Sequence, residues 1–200
     1  MIIDKIDFYY QAVKRICGNL DIESALWNFL QYLQTVIPVT GMNLHLFEGG
    51  LGTVRTIAQV TRYDDASVKL PAVVSLPDEA RVGLERNWSG MQKQDVIIFN
   101  RPELDPVTRA MTRLVRKPES SNLVMRLEIE DNRLGALIMY ADGKNRYTRE
   151  HAELVALLHD PLSIAMSNAL RHQEVLKLKD SQKEKVTSQL TDMLEKSRKG

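Results

Sequence analysis

The residues able to do chemistry in this sequence are few, and their spacing does not assemble a reactive group. The four histidines, His45, His151, His159 and His172, include no pair four residues apart, the spacing that places two metal ligands on one helix face. No cysteine stands near them, since Cys17 is the only one in the chain. We therefore expect no metal site, and we interpret His45 as a strand residue that packs in the core or lines a pocket.

Catalytic motifs are also missing from the sequence. The glycine run at 49–52 joins two predicted strands rather than opening a helix, so it predicts a hairpin turn and not a phosphate cradle. Neither a GxxxxGK[ST] loop nor a GxSxG nucleophile turn occurs, and Cys17 lacks a second cysteine for redox chemistry. We predict that the chain is not an enzyme. A small enzyme is the weakest alternative, supported only by Asp95, Ser120 and Arg126 in segments that would border a pocket.

Apolar side chains that would suit a binding pocket concentrate in an irregular segment, 88–104. Trp88, Met91 and Phe99 lie there, and binding residues favour loops whose pockets are mostly apolar. The same three residues would equally form a small cluster that pins the loop. Both interpretations stay open from the sequence alone.

Arginines recur on a short predicted helix that follows this segment. Arg109, Arg113 and Arg116 stand three and four residues apart, which predicts a basic stripe. Such a stripe is usually a solvated face, and otherwise it holds an anionic ligand or a partner. The candidate ligand-binding residues are thus His45, Trp88, Met91, Phe99, Arg109 and Arg126.

The elements that must position these residues follow from changes in hydrophobic period. Intervals of three and four predict a helix from about Ile2 to Ile16 and a second one, capped by Asp21, that ends before Pro38. Alternation predicts strands at 42–47, 54–60, 70–76, 95–99, 122–129 and 133–141, with turns at 48–52 and 130–132. Short helices are expected at 77–87 and from 105. Because strands and helices are segregated, the order favours an α+β fold with a central antiparallel sheet.

A long helix closes the chain. Thr148 is predicted to cap it, and Pro161 to kink it near 157–160. Heptad positions continue towards residue 196, which predicts a coiled-coil stub or signalling helix, whose dimerisation residues would be Leu162, Ala169, Leu176, Val186, Leu190 and Met193. The alternative is a solvated, fraying tail.

Composition restricts the partners. The 200 residues are 44% hydrophobic with a net charge of +1, which gives no overall electrostatic case for direct nucleic-acid binding. No apolar run reaches the roughly 20 residues of a membrane span, and the N-terminus is unlike a signal peptide. We expect a cytoplasmic protein without membrane contact.

The predicted order of elements and several sequence segments resemble a GAF domain, most closely the N-terminal sensor domain of bacterial sigma-54-dependent transcriptional activators. The segments are RLGALIMYADGKNRYTREHAELVALLHDPLSIAMSNALRHQEVLKLKD at 133–180, DPVTRAMTRLVRKPESSNLVMRL at 105–127, and the hairpin at 42–60. The resemblance covers roughly residues 1–180. It implies an antiparallel sheet with helices on one side and a small ligand held between the sheet and its covering loops and helices.

The resemblance also implies dimerisation through terminal helices and control of an attached ATPase module, although neither such a module nor a helix-turn-helix follows residue 180. Motifs of the members that bind cyclic nucleotides, attach bilins or reduce methionine sulfoxide are not found, so the ligand and any cofactor stay unknown. We divide the chain into a sensor domain, 1–171, and a helical extension, 172–200. The leading hypothesis is a homodimeric small-molecule sensor with a transcriptional-activator output, and the alternative is a ligand-free dimerisation scaffold.

Overall fold

The computed structural model describes residues 4–48, 51–63, 71–89, 96–113, 119–129 and 133–198. Its helices are α1 (Lys5–Ile16), α2 (Ile22–Leu33), α3 (Asp78–Ser89), α4 (Pro106–Thr112), α5 (Arg149–Ala156) and α6 (His159–Arg198). Its strands are β1 (Gly41–Glu48), β2 (Thr53–Thr61), β3 (Val73–Ser75), β4 (Val96–Phe99), β5 (Ser120–Ile129) and β6 (Arg133–Asp142). The two predicted hairpin turns lie partly or wholly outside the described residues.

The six strands form one sheet in the order β3-β2-β1-β6-β5-β4, and every neighbouring pair is antiparallel. Helices pack on this sheet, and a long helix closes the chain, so the predicted α+β architecture is confirmed. The central strands β1 and β6 come from distant parts of the sequence. The sheet therefore joins the opening hairpin to the closing one.

Strand alternation gives the sheet two different faces. On β1, Met42, Leu44 and Leu46 point to one face and Asn43 and His45 to the other, because successive side chains alternate. The first face, which we call the core face, is covered by α1, α2, α5 and α6. Its apolar cluster includes Phe8, Ile16, Leu26, Leu30, Leu44, Leu123, Met139, Leu162 and Met166.

The second face, which we call the cavity face, is covered by α3 and α4. A smaller cluster of Val54, Leu76, Ala80 and Leu84 holds this cover. Helices thus lie on both sides of the sheet, whereas the resemblance implied helices on one side. The additional layer arises because α3 and α4 each carry apolar residues that need burial.

Local capping explains where several helices begin. The Asp21 carboxylate accepts the amide of Ser24 at 2.8 Å, and the Asp105 carboxylate accepts the amide of Thr108 at 2.8 Å. These bonds satisfy amides that have no partner inside the first helical turn. Thr148 forms a capping box at the start of α5, so the caps predicted at Asp21 and Thr148 are confirmed.

The predicted interruption of the closing helix is confirmed. α5 ends at Ala156, and α6 begins at His159 with Pro161 in its first turn. Proline has no N–H and its ring clashes with the carbonyl four residues earlier, so a continuous helix through this point is disfavoured. A first turn tolerates it, because the amides there lack helical partners in any case.

The two halves of α6 have different surroundings. Leu162 and Ala169 are 0% and 2% exposed within the core of the chain itself. They are therefore not free to face a second copy, contrary to the expectation for these two residues. Leu176, Val186 and Leu190 are between 46% and 56% exposed, and Met193 is 68% exposed. None of the described helices is long and apolar enough to cross a membrane.

Candidate functional site

A cavity of about 130 Å³ lies between the cavity face of the sheet and the helices α3 and α4. Alternate residues of β1, β4, β5 and β6 line the cavity, and α4 forms most of its roof. An apolar cavity of about 150 Å³ accommodates benzene, so this one is close to the size of a single ring.

Most of the cavity wall is apolar. Side chains from the sheet and from both covering helices contribute to it: Phe47, Val54, Leu84, Ile97, Phe99, Val107, Met111, Val124, Ala136 and Ile138. Apolar walls with a few placed polar groups are typical of small-molecule sites. The polar lining residues are Asn43, His45, Gln59, Thr108, Thr112, Ser120, Asn122, Tyr140 and Asp142.

His45 is the central polar residue of the cavity floor. Its side chain is only 3% exposed, and neither ring nitrogen has a hydrogen-bond partner among the described residues. Burial lowers the pKa of His45 to about 4, so its imidazole is neutral at pH 7. A neutral imidazole offers one N–H donor and one nitrogen acceptor.

Asn43 stands two residues before His45 on the same face of β1. It is 8% exposed, and its side-chain oxygen also lacks a partner among the described residues. Residues two apart on a strand are separated by about 7 Å, within the span of one small ring with a substituent. Leaving such groups unsatisfied is costly, so a bound molecule or water that completes their hydrogen bonds would be stabilised.

One end of the cavity is acidic. Asp142 lines it at the end of β6, and the hydroxyl of Tyr63 donates to the Asp142 carboxylate. Tyr140, two residues earlier on the same strand, also lines the cavity, and burial raises the pKa of its phenol. The Tyr140 phenol is therefore protonated at pH 7. Among the described lining residues none is lysine or arginine.

An ion pair joins α3 and α4, the two helices that cover the cavity. Both carboxylate oxygens of Glu79 on α3 lie 2.9 Å from the same guanidinium nitrogen of Arg109 on α4. The hydroxyl of Thr108 donates to the carbonyl of Pro102 at 2.6 Å, which ties α4 to the preceding 3-10 helix Pro102–Leu104. Arg109 thus joins the two covering helices and does not line the cavity.

The predicted ligand-binding residues divide into three groups. His45 and Phe99 line the cavity, and Arg109 and Arg126 do not. Arg126 lies on the cavity face of β5, in register with Ala136, and pairs with Glu128 at 3.5 Å. Met91 and the side chain of Trp88 lie outside the described residues. The binding role of all six residues stays a prediction.

Sequence reasoning missed Asn43, Asn122, Tyr140 and Asp142. The signal that would have found Asn43 is the period of two, since His45 was already placed on a strand and Asn43 must share its face. The other three needed the pairing of β5 and β6, which sets Asn122 opposite Tyr140. Strand register across the sheet is not written in any one segment.

The other reactive residues lie away from the cavity. The ring of His151 accepts the Thr148 amide in the capping box, His159 contacts Asp160, and His172 is exposed on α6. Partial desolvation raises the pKa of the Cys17 thiol, which ends α1 on the core-face side of the sheet, so its reactive thiolate form is scarce at pH 7. Among the described residues, no three metal-ligating side chains form a group.

Comparison with known proteins identifies the fold. No protein-family model matches the sequence, and no curated protein matches it. Among solved structures, the chain resembles the GAF domain of a phosphoenolpyruvate-protein phosphotransferase from Coxiella burnetii, with 15% identity, a TM-score of 0.61, and coverage of 85% of this chain and 96% of that one.

Two further structures show the range of proteins with this architecture. The phycocyanobilin-bound GAF domain of a cyanobacterial phytochrome has 13% identity and a TM-score of 0.57, covering 86% of this chain and 99% of that one. A free methionine-R-sulfoxide reductase from Neisseria meningitidis, in complex with its substrate, has 11% identity and a TM-score of 0.58, covering 86% and 96%. This chain has the GAF fold, a fold shared by sensory domains and by enzymes.

Proposed function

We propose that this chain is a small-molecule-sensing regulatory domain whose ligand occupies the cavity between the sheet and helices α3 and α4. The observation that carries the proposal is that two buried residues of its floor have polar atoms without a partner among the described residues, the side-chain oxygen of Asn43 and both ring nitrogens of His45. Buried polar groups in folded proteins are nearly always hydrogen-bonded. Two such groups facing a cavity of ligand size are best explained by a molecule that completes their bonds.

We propose no catalytic step for this site. Its floor holds a neutral imidazole, amides, hydroxyls and one carboxylate. The His45 ring has no hydrogen-bond partner among the described residues and the Asp142 carboxylate accepts from Tyr63, so neither group is seen to activate a lining hydroxyl. The chain has a single cysteine, and Cys17 belongs to the opposite side of the sheet. This composition favours binding over reaction.

The proposed signal passes through the sheet to α6. Asn122 and Val124 line the cavity, whereas Leu123 and Met125, which alternate with them along β5, are completely buried on the core face, where α6 contacts β5. A ligand that shifts β5 would therefore change the packing of this strand against α6. Its effect is limited to its differential affinity for the two arrangements of that packing.

The proposed output is the association of two copies through the exposed part of α6. Leu176, Val186, Leu190 and Met193 continue the heptad pattern beyond the core and are exposed along it. The resemblance of residues 133–180 to sensor domains of sigma-54-dependent activators supports a downstream ATPase or transcription-activator module as the receiver. A cytoplasmic homodimer that regulates such a module is the full form of the proposal.

The test compares filled and blocked cavities. Native mass spectrometry of the chain purified from producing cells is expected to show an added small mass, which Ala136→Phe removes because Ala136 lines the cavity. Leu178→Ala, a change at a side chain 65% exposed on α6, is the matched control and retains the mass. Wild-type chain refolded from urea without the ligand gives a second empty state with no substitution.

Sedimentation then measures self-association in the filled and empty states. A change between them supports transmission to α6. Equal association in all states would contradict it, and together with the absence of any bound mass would favour the alternative, a dimerisation scaffold without a ligand.

A further inference from the structure

Resting on the proposed function, we propose that the cavity binds an uncharged single-ring molecule whose substituent carries a hydrogen-bond donor beside an acceptor, as a primary amide does. The substituent lies on Asn43 and His45, and the ring lies against the apolar wall. Charge, hydrogen bonding and size each favour this ligand class.

The charges around the cavity disfavour an anion. Its described lining has one carboxylate, Asp142, and no lysine or arginine. Arg126 on the sheet pairs with Glu128, and Arg109 on the roof pairs with Glu79. A buried carboxylate or phosphate ligand would thus lose its hydration without gaining a cationic partner, which is strongly unfavourable.

A cation has a partner in Asp142, but that carboxylate is already engaged by the hydroxyl of Tyr63. Of the buried lining atoms without a partner among the described residues, the His45 nitrogens and the Asn43 oxygen lie on the adjacent central strand β1, and the Tyr140 hydroxyl lies near this end. All three side chains are uncharged at pH 7. They gain nothing specific from positive charge, because a neutral donor satisfies an amide oxygen equally well.

The unmet hydrogen bonds define the substituent. The Asn43 oxygen needs a donor, and the neutral His45 ring offers one donor and one acceptor. A carbonyl beside an N–H meets both residues with one group, whereas a carbonyl alone leaves the Asn43 oxygen unsatisfied. The cavity volume of about 130 Å³, close to the roughly 150 Å³ that accommodates benzene, suits one ring for the remainder.

Four probes of the same shape separate these features: benzamide carries donor and acceptor, acetophenone the acceptor only, benzoate a negative charge and benzamidine a positive one. Each is titrated into the full chain at pH 7 while NMR follows the backbone amides of β1 and β6. We expect benzamide to bind about tenfold more tightly than acetophenone, the effect of one satisfied buried group, and benzoate to cause no saturable shift.

Substitution tests the assignment of the floor. His45→Leu and Asn43→Leu are each expected to remove the preference for benzamide over acetophenone, whereas the exposed control Leu178→Ala preserves it. His45→Gln retains a donor and an acceptor and should keep part of the preference. The comparison of the four probes on the wild-type chain requires no variant, so it tests the ligand class even if a substitution unfolds the chain.

Several outcomes overturn the ligand class. Binding of benzoate or benzamidine at least as tight as that of benzamide, an unchanged preference in both leucine variants, or no saturable shift with any probe would each do so. These failures differ from failure of the proposed function. If benzoate saturates the cavity and changes self-association, the proposed sensor function is supported and this ligand class is wrong. If benzamide binds as expected without any effect on association, the ligand class is supported and transmission to α6 is contradicted.

Discussion

Leu137 and Ile138 are neighbours on β6 with opposite surroundings. Leu137 is 0% exposed within the large cluster under α1, α2 and α6, whereas Ile138 borders the cavity on the other face. The core face is filled with apolar side chains, and the cavity face leaves space beside polar groups that have no partner. One alternating sequence therefore supplies a closely packed face that stabilises the chain and a second face that borders a cavity.

The largest expected effect tests whether the two faces differ in packing. Leu137→Ala should lower the free energy of unfolding by about 4 kcal/mol, because it opens a void in a filled core. Ile138→Ala removes similar volume but enlarges an existing cavity, so we expect a loss of about 1.5 kcal/mol or less. Urea denaturation of both variants measures the difference, and equal losses would show that the cavity face is packed as tightly as the core face.

The second prediction concerns the polar floor, where the two faces differ in chemistry. The unfolded chain protonates His45 near pH 6.5, but burial holds its folded pKa at about 4. Unfolding therefore takes up a proton between these values, and stability falls as the pH falls. The loss reaches about 3 kcal/mol at pH 4.

Variants isolate this dependence in urea denaturation between pH 7 and pH 4. His45→Gln is expected to remove that part of the pH slope, and His172→Gln, at an exposed position on α6, to leave it unchanged. Parallel curves for the wild type and His45→Gln would mean that solvent or another group already solvates the imidazole. The polar floor of the cavity would then be hydrated in the folded chain.

The third prediction compares equivalent caps on the two sides of the sheet. Asp21 caps α2 over the core face, and Asp105 caps α4 over the cavity, each by an amide bond of 2.8 Å. Asp21→Ala should lower the global free energy of unfolding by about 1 kcal/mol. Asp105→Ala should act locally, raising the amide exchange of α4 about fivefold with little effect on the urea midpoint, because the cover opens without global unfolding.

If Asp105→Ala instead shifts the urea midpoint as much as Asp21→Ala does, the cover unfolds together with the core. The cavity would then be a fixed part of the fold rather than a site beneath a separable roof. Hydrogen exchange of α4 and α2 in both variants distinguishes the two results.

Local sequence signals predicted the elements better than the site. The caps at Asp21 and Thr148 and the break before Pro161 depend on residues within one turn, so the chain itself specifies them. The prediction that α2 continues towards Pro38 was wrong by one turn. The helix ends at Leu33, and the amides of Thr35 and Val36 instead bond carbonyls three residues back.

The cavity depended on long-range pairing that local patterns do not contain. His45 and Phe99 were found as apolar or strand residues in suitable segments, but the acidic end arises where Asp142 pairs with Ser120. Arg109 was grouped with other arginines as a basic stripe, whereas its partner Glu79 is 30 residues away on another helix. Ion pairs between elements cannot be inferred from helical spacing alone.

The last and smallest expected effect on stability extends the comparison along α6. Leu162 is completely buried, whereas Leu190 is 56% exposed in the same heptad register. Leu190→Ala should change the unfolding free energy of the dilute chain by less than about 0.5 kcal/mol, since the side chain contacts solvent. It should nevertheless weaken self-association about tenfold, because a second helix is the surface that would bury it. Sedimentation across a concentration series checks this, with Leu178→Ala, at a side chain 65% exposed on α6 and outside this heptad register, as the matched control. Unchanged association of Leu190→Ala would show that Leu190 remains in solvent and is not part of a contact with a second copy.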